Sequence, residues 1–239
     1  MNILAMDSSS TTGSLAFLTD GEVVFQTHFQ SYQGHIVHLS NALKQLFATS
    51  HCTPKDLDLI VVTLGPGSFV GLRVTLGLAK GICLAHGRPL VGVDTLTALA
   101  VGARKWGAPL RPLVAVTTDA QRGDLFVAIY QVSATGLLQP LLEPTLCSMQ
   151  GFIERLFAYQ ARDPAFSPLF LGSGLAANQG ALLAVLGDRF LIAPEIVWQM
   201  DPVSLALYGY DLWRQQGPSS LDHLEPLYLR PSDAQRKIF

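Results

Sequence analysis

The chain has 239 residues, a formal charge of −2 and a mean hydropathy of +0.32. Only 14% of residues are charged, against about 25% in ordinary soluble domains, which fits either a tightly packed, loop-poor monomer or a chain whose apolar surface a second chain covers. No run of basic residues exceeds two, which excludes a stand-alone grip on nucleic-acid phosphates.

In chain order, residues 2–6 read as a strand ending at Asp7. Residues 13–18 and 22–28 read as two more, joined by the hairpin dipeptide Asp20-Gly21. Residues 35–48 have helical spacing, with His35, Leu39, Ala42, Leu43, Leu46 and Phe47 on one face. An unbroken apolar run from Leu59 then predicts a fully buried strand. The segment Gly65-Pro66-Gly67-Ser68-Phe69 turns it into a Gly-studded helix over 69–86. Here proline fixes φ, Gly65 and Gly67 relax the backbone, and Ser68 is placed to cap the helix. A strand at 89–93 and a helix at 95–104 follow.

The second half opens in the same way, with a strand at 113–118 ending at Asp119 and another at 124–133. Further strands are expected at 137–142, 168–171 and 190–192, and helices at 148–159, 175–186 and 203–215. Two halves that both begin strand–Asp–strand suggest a structural duplication. The Gly- and Pro-bearing segment 105–112 is the expected boundary, giving domains 1–105 and 106–239. Mixed strands followed by βα units define an α/β fold.

Cys52, Cys83 and Cys147 are widely spaced without a CxxC pair, against both zinc and a disulfide framework. The N-terminus lacks a basic region, and Asp7 interrupts its apolar start. The apolar stretch 74–103 is broken by Lys80, His86, Arg88, Pro89 and Asp94, so no membrane span and a cytoplasmic location are expected.

Several residues invite a chemical reading. Asp7 with Ser8, Ser9, Ser10 and Thr12 has the make-up of a phosphate loop, a carboxylate for hydrated Mg²⁺ and hydroxyls for phosphate oxygens. The plainer reading is an Asx turn whose hydroxyls serve their own backbone. Asp119 sits at the matching place in the second half. Gly172-Ser173-Gly174 fits G-x-G-x-x-A with Glu195 about twenty residues on. A NAD-dependent oxidoreductase would need a dinucleotide-binding sheet, which the remaining chain is too short to complete. Glycines for close strand–helix packing are the plainer reading. His35 and His38, at i and i+3, lack further metal ligands. Neither GxSxG nor HExxH occurs, so a peptidase has no chemical support. On the 69–86 helix Gly77, Gly81 and Ala85 recur every four residues beside Val70, Val74, Leu78 and Ile82. Two glycines on one helix face, each about 1 kcal/mol worse than alanine, call for close packing against another helix, within the chain or from a partner.

The run GPGSFVGLR resembles the GPGSFTGxR signature of the bacterial TsaB (YeaZ-type) proteins, with Val70 for the usual threonine. The segment from Asp119 to Asp124 resembles that family's DARxGEVY, with Gln121 for arginine and Asp124 for glutamate. The tail from Glu225 to Arg230 resembles its P-x-Y-L-R segment. His35 falls where the family has histidine, whereas Asn41 replaces its common proline. The resemblance implies a pair of actin/Hsp70-like α/β domains facing across a cleft. It implies a non-catalytic scaffold subunit, cytoplasmic, of the complex that installs threonylcarbamoyl on adenosine 37 of tRNA. Partners would be a catalytic TsaD-type subunit and a TsaE-type ATPase, with a homodimer when alone and tRNA met only through the complex. The helices 35–48 and 69–86 would form the interface, through His35, His38, Leu39, Ala42, Leu46, Val70, Arg73, Val74, Gly77, Leu78 and Gly81. No cofactor or metal is required, and weak ATP or ADP binding is the most expected, because residues 119–124 lack the small residues of a second phosphate clamp. The rival is a stand-alone actin-like ATPase or small-molecule kinase using Asp7 and Asp119.

Overall fold

The structure, a computed structural model, describes residues 1–30, 35–103, 112–133, 138–187 and 191–230. The chain divides into two compact units, Met1–Gly102 with Met200–Leu227, and Ala103–Gln199 with Tyr228–Phe239.

The first unit is built on a five-stranded mixed sheet in the order β3-β2-β1-β4-β5. Its strands are β1 (Asn2–Asp7), β2 (Thr12–Thr19), β3 (Glu22–Gln30), β4 (Leu59–Thr63) and β5 (Leu90–Val93). β1 pairs antiparallel with β2 and parallel with β4. The β2–β3 hairpin turns at Asp20 and Gly21, both at positive φ, as a two-residue turn between right-twisted strands requires. Every residue of β4 is buried, the signature of a parallel strand covered on both faces.

One face of this sheet carries α1 (His35–Ser50) and α2 (Phe69–His86). Their residues Leu39, Leu43, Leu46, Leu76 and Ala79 pack with Leu4, Met6, Leu15, Phe17, Ile60 and Val62 in one core. Ser68 caps α2 as expected, accepting a hydrogen bond from Gly71 N at 3.2 Å. α2 has the length and apolarity of a membrane-crossing helix. Leu72, Leu76, Ala79 and Cys83 bury its inner side in this unit, and burial pushes the Cys83 thiol up to about 11. The opposite face is covered by α6 (Pro202–Gln216). A Cβ on Gly209 would stand 2.4 Å from Val61 Cγ1, so only glycine lets α6 lie this close to β4. α3 (Thr95–Ala103) follows β5.

The second unit repeats the plan in the order β10-β9-β6-β7-β8. Its strands are β6 (Leu113–Asp119), β7 (Asp124–Val132), β8 (Leu138–Ser148), β9 (Leu169–Leu171) and β10 (Leu191–Ile192). Antiparallel β6–β7–β8 and parallel β6–β9–β10 copy the pairing of the first sheet strand for strand, as a duplication requires. α4 (Met149–Arg162) and α5 (Gln179–Leu186) bury Phe152, Leu156, Leu182 and Leu186 against Leu125, Val127, Ile129 and Phe170.

Three expectations change. The span 106–239 is not one domain, because residues 200–227 return to the first unit, where α6 seals the second face of its sheet. The 105–112 boundary lies outside the described residues except Pro112, and the units part after Gly102. The helix expected at 175–186 begins only at Gln179, because Ser173–Leu175 forms a tight 3-10 turn closed by Leu175 N onto Gly172 O at 3.1 Å. Residues 104, 137 and 190, at the ends of other expected elements, lie outside the described residues.

Candidate functional site

Asp7 ends β1, with Ser14 opposite it on β2. It is wholly buried. Its Oδ1 accepts hydrogen bonds from Ser9 N at 3.0 Å and from the Thr63 hydroxyl at 2.5 Å, while Oδ2 has no partner. Burial raises the carboxyl above its ordinary value, and the bonds from Thr63 and Ser9 oppose the rise. The Ser8 hydroxyl donates to Gly71 O at 2.9 Å and meets the Thr75 hydroxyl on α2. Ser9 O accepts from Ser68 N at 2.7 Å. A Cβ on Gly67 would stand 2.3 Å from that same oxygen, so Gly67 serves close approach; its φ is ordinary. Ser10 Oγ is tied to Thr12, accepting from its N and donating to its O.

The corresponding loop of the second unit is similarly spent. Asp119 Oδ1 accepts from Gln121 N at 2.7 Å and Oδ2 from Gln121 Nε2 at 3.0 Å. Gln121 and Arg122 both adopt positive φ. Arg230, from the P-x-Y-L-R-like tail, donates to Asp124 Oδ2 at 2.5 Å and to Gln121 O at 3.3 Å, bracing this turn. Gly172 has φ +108, and a Cβ there would stand 2.1 Å from Thr117 O. One on Gly174 would stand 2.9 Å from Leu125 Cδ2. The Ser8 and Ser10 hydroxyls and the Asp119 carboxylate are thus engaged by the chain's own backbone and side chains, Asp7 keeps one buried carboxylate oxygen without a partner, and Gly172 and Gly174 press on β6. The Asx turn at Asp7, closed by Ser9 N, and the close packing at Gly172 and Gly174 are both present.

The α1/α2 face behaves differently. Leu39, Ala42 and Leu46, expected at a partner interface, are buried in the first core and have no surface to offer. The apolar face of α1 is the sheet-facing face. The side chain of His35 lies outside the described residues. His38 is exposed, and beside it stand Ile36, 63% exposed, and Val37, which sequence reasoning passed over. Their signal was available, as two apolar residues lying off the buried stripe of an amphipathic helix.

On α2, the side opposite the core carries Val70, Arg73, Gly77, Gly81 and Leu84, all exposed, with Val74 and Leu78 half-buried. Leu84 is 71% exposed. A Cβ on Gly77 or Gly81 would meet nothing within 4 Å. Close packing among the described residues therefore does not account for these glycines. The Arg73 guanidinium lies 3.8 Å over the Phe69 ring. Between the helices runs a groove of about 420 Å³ lined by Ile36, Ser40, Arg73, Val74, Gly77 and Leu78. Among the described residues no three His, Cys, Asp or Glu side chains cluster as metal ligands would.

The model of the TsaD family, described as tRNA N6-adenosine threonylcarbamoyltransferase, matches residues 30–185. The chain is 28% identical to the tRNA threonylcarbamoyladenosine biosynthesis protein TsaB of Bacillus subtilis, over 99% of this chain and 97% of that protein. It is 27% identical to TsaB of Escherichia coli, over 100% and 98%. In fold it is similar to YeaZ from Pseudomonas aeruginosa, with a TM-score of 0.77, 22% identity and coverage of 95% and 99%. The same α/β fold is found in component A of (R)-2-hydroxyglutaryl-CoA dehydratase from Acidaminococcus fermentans, with a TM-score of 0.50, 14% identity and coverage of 88% and 98%. A family match over well over half the chain, with full-length likeness to two TsaB proteins, makes this chain a member of the TsaD family on its TsaB (YeaZ-type) branch, with a role in threonylcarbamoyladenosine biosynthesis.

Proposed function

We propose that the chain is a non-catalytic scaffold subunit that holds a TsaD-type catalytic subunit through α1 and α2. One observation carries the reading: α2 leaves an apolar, glycine-notched side open beside Ile36 and Val37, where no described residue of its own chain approaches Gly77 or Gly81. An exposed apolar surface around a groove is the usual mark of a docking site, and small residues let a second helix come close. The likeness to TsaD-family sequences supports the choice of partner. Asp119 is engaged by Gln121, and among the described residues no three metal-ligating side chains cluster, which supports a role without chemistry of its own. ATP or ADP would bind weakly at most, no cofactor is required, and a TsaE-type ATPase acts on the assembly. Transfer RNA is met through the complex, in the cytoplasm. In isolation the same face is open to a second copy.

The test is co-elution of the full chain with its TsaD-type subunit, comparing wild type with Gly77→Leu. Leucine has room there, so the variant folds. Loss of co-elution is expected, and unchanged co-elution would overturn the scaffold reading. Calorimetric titration with Mg-ATP checks the rival ATPase, where micromolar binding to the isolated chain would count for the enzyme.

A further inference from the structure

The two helices that frame the groove carry Lys44, Arg73 and Lys80 and neither an Asp nor a Glu, a formal +3. The whole chain carries −2, leaving −5 for everything else. The cations are also placed. Ile36, Ser40 and Lys44 recur every four residues and form one row on α1. Arg73, Gly77, Lys80, Gly81 and Leu84 form one row on α2. Ile36, Ser40, Arg73 and Gly77 line the groove, so both rows border it. The docking surface is therefore an apolar floor edged by positive charge, on a protein that is otherwise acidic.

We infer that the groove takes a partner whose matching face is acidic, an apolar helix flanked by Asp or Glu, and that a second copy of this chain is the disfavoured occupant. This rests on the scaffold reading and names the chemistry of its partner. A two-fold homodimer is isologous, with each patch meeting itself, so self-pairing sets the Lys44 and Lys80 cations of one copy against those of the other. Like charges across an interface suppress that pairing, while opposite charges speed and tighten the other. The same glycines that admit a partner helix also bring its side chains within reach of Lys44 and Lys80, where salt screens the interaction only in part.

The experiment uses the full chain and its TsaD-type subunit, with affinity measured at 50 mM and 500 mM NaCl for wild type, Lys44→Glu/Lys80→Glu and Gly77→Leu. Neither lysine belongs to a core, so the charge reversal leaves the fold intact, which circular dichroism verifies. The double variant is expected to bind at least about 10-fold more weakly at low salt, with the gap closing to about 3-fold or less at high salt. Sedimentation of wild type alone should show self-association that strengthens with salt. Wild type mixed with the charge-reversed copy should associate more tightly than either alone. If Gly77→Leu blocks the catalytic subunit but charge reversal leaves affinity within about 2-fold at both salts, the acidic partner face is refuted and the scaffold stands. If Gly77→Leu binds normally, the scaffold reading fails and the inference falls with it. Wild-type self-association that weakens with salt also refutes the inference.

Discussion

Gly77→Ala/Gly81→Ala tests whether the α2 glycines exist for another chain. Glycine in an exposed helix interior costs about 1 kcal/mol relative to alanine. Both positions lie well inside α2, and an added Cβ meets nothing within 4 Å at either. No clash is there to offset the gain, so the double variant should stabilise the first unit by about 2 kcal/mol. At about 2–4 °C per kcal/mol for a chain of this size, the melting transition rises by about 4–8 °C. The two methyl groups stand where a partner helix would make its closest approach, so affinity for the TsaD-type subunit should fall about 10-fold, roughly 1.4 kcal/mol. Stability and assembly thus move in opposite directions. Scanning calorimetry is the stability assay, since it separates the transitions of two units that do not melt together, and surface plasmon resonance reads the affinity. A lower melting temperature would mean the face is already covered. A higher one with unchanged affinity would mean that the glycines serve no partner.

Asp7→Asn should leave the chain at least as stable as wild type at pH 7. Burial raises the Asp7 carboxyl above its ordinary 3.8 in the folded state, so the fold holds that proton more tightly than the unfolded chain does. Its share of stability is complete below about pH 3.8 and is lost as pH rises through the folded value. Asparagine cannot ionise and keeps an oxygen for Ser9 and Thr63, so urea midpoints at pH 4 and pH 7 should converge in the variant. A loss of about 3 kcal/mol or more at pH 7 would show instead an ionised carboxylate with a needed counter-charge. Gly172→Ala should cost the second unit about 3 kcal/mol or more, combining positive φ with a Cβ set against Thr117 O. Gly180→Ala, on α5 with open space around it, is the control and should stabilise. Denaturant midpoints compare the two, and a Gly172→Ala loss under about 1 kcal/mol would refute the close approach.

Local signals carried most of the elements. The apolar run of β4, the Asp20-Gly21 turn and the Ser68 cap are written in adjacent residues, and the structure realises each of them. What escaped the sequence depends on distant partners. Helical spacing located an apolar face on α1, but 3.6-residue periodicity does not say whether the chain's own sheet or another protein takes it, and the sheet took Leu39, Ala42 and Leu46. The opposite outcome on α2 was readable only once the core had claimed one side and left Gly77 and Gly81 bare. α6 was legible as a helix yet placed in the wrong domain, because its reason for joining the first unit, the fit of Gly209 on Val61, links residues far apart in sequence. Around Asp7, Ser8 donates to Gly71 O on α2 and Ser10 to Thr12 O, directions that a phosphate-loop-like composition does not encode.

The return of residues 200–227 to the first sheet fixes an order of assembly. A nascent chain leaving the ribosome exposes β1 to β5 early, yet the sheet face bearing Ala5, Ala16 and Val61 stays wet until α6 emerges behind residues 103–199 of the second unit. The first unit is therefore completed only after most of the second has been made, and a translation product stopped before Met200 would lose the unit it had almost finished.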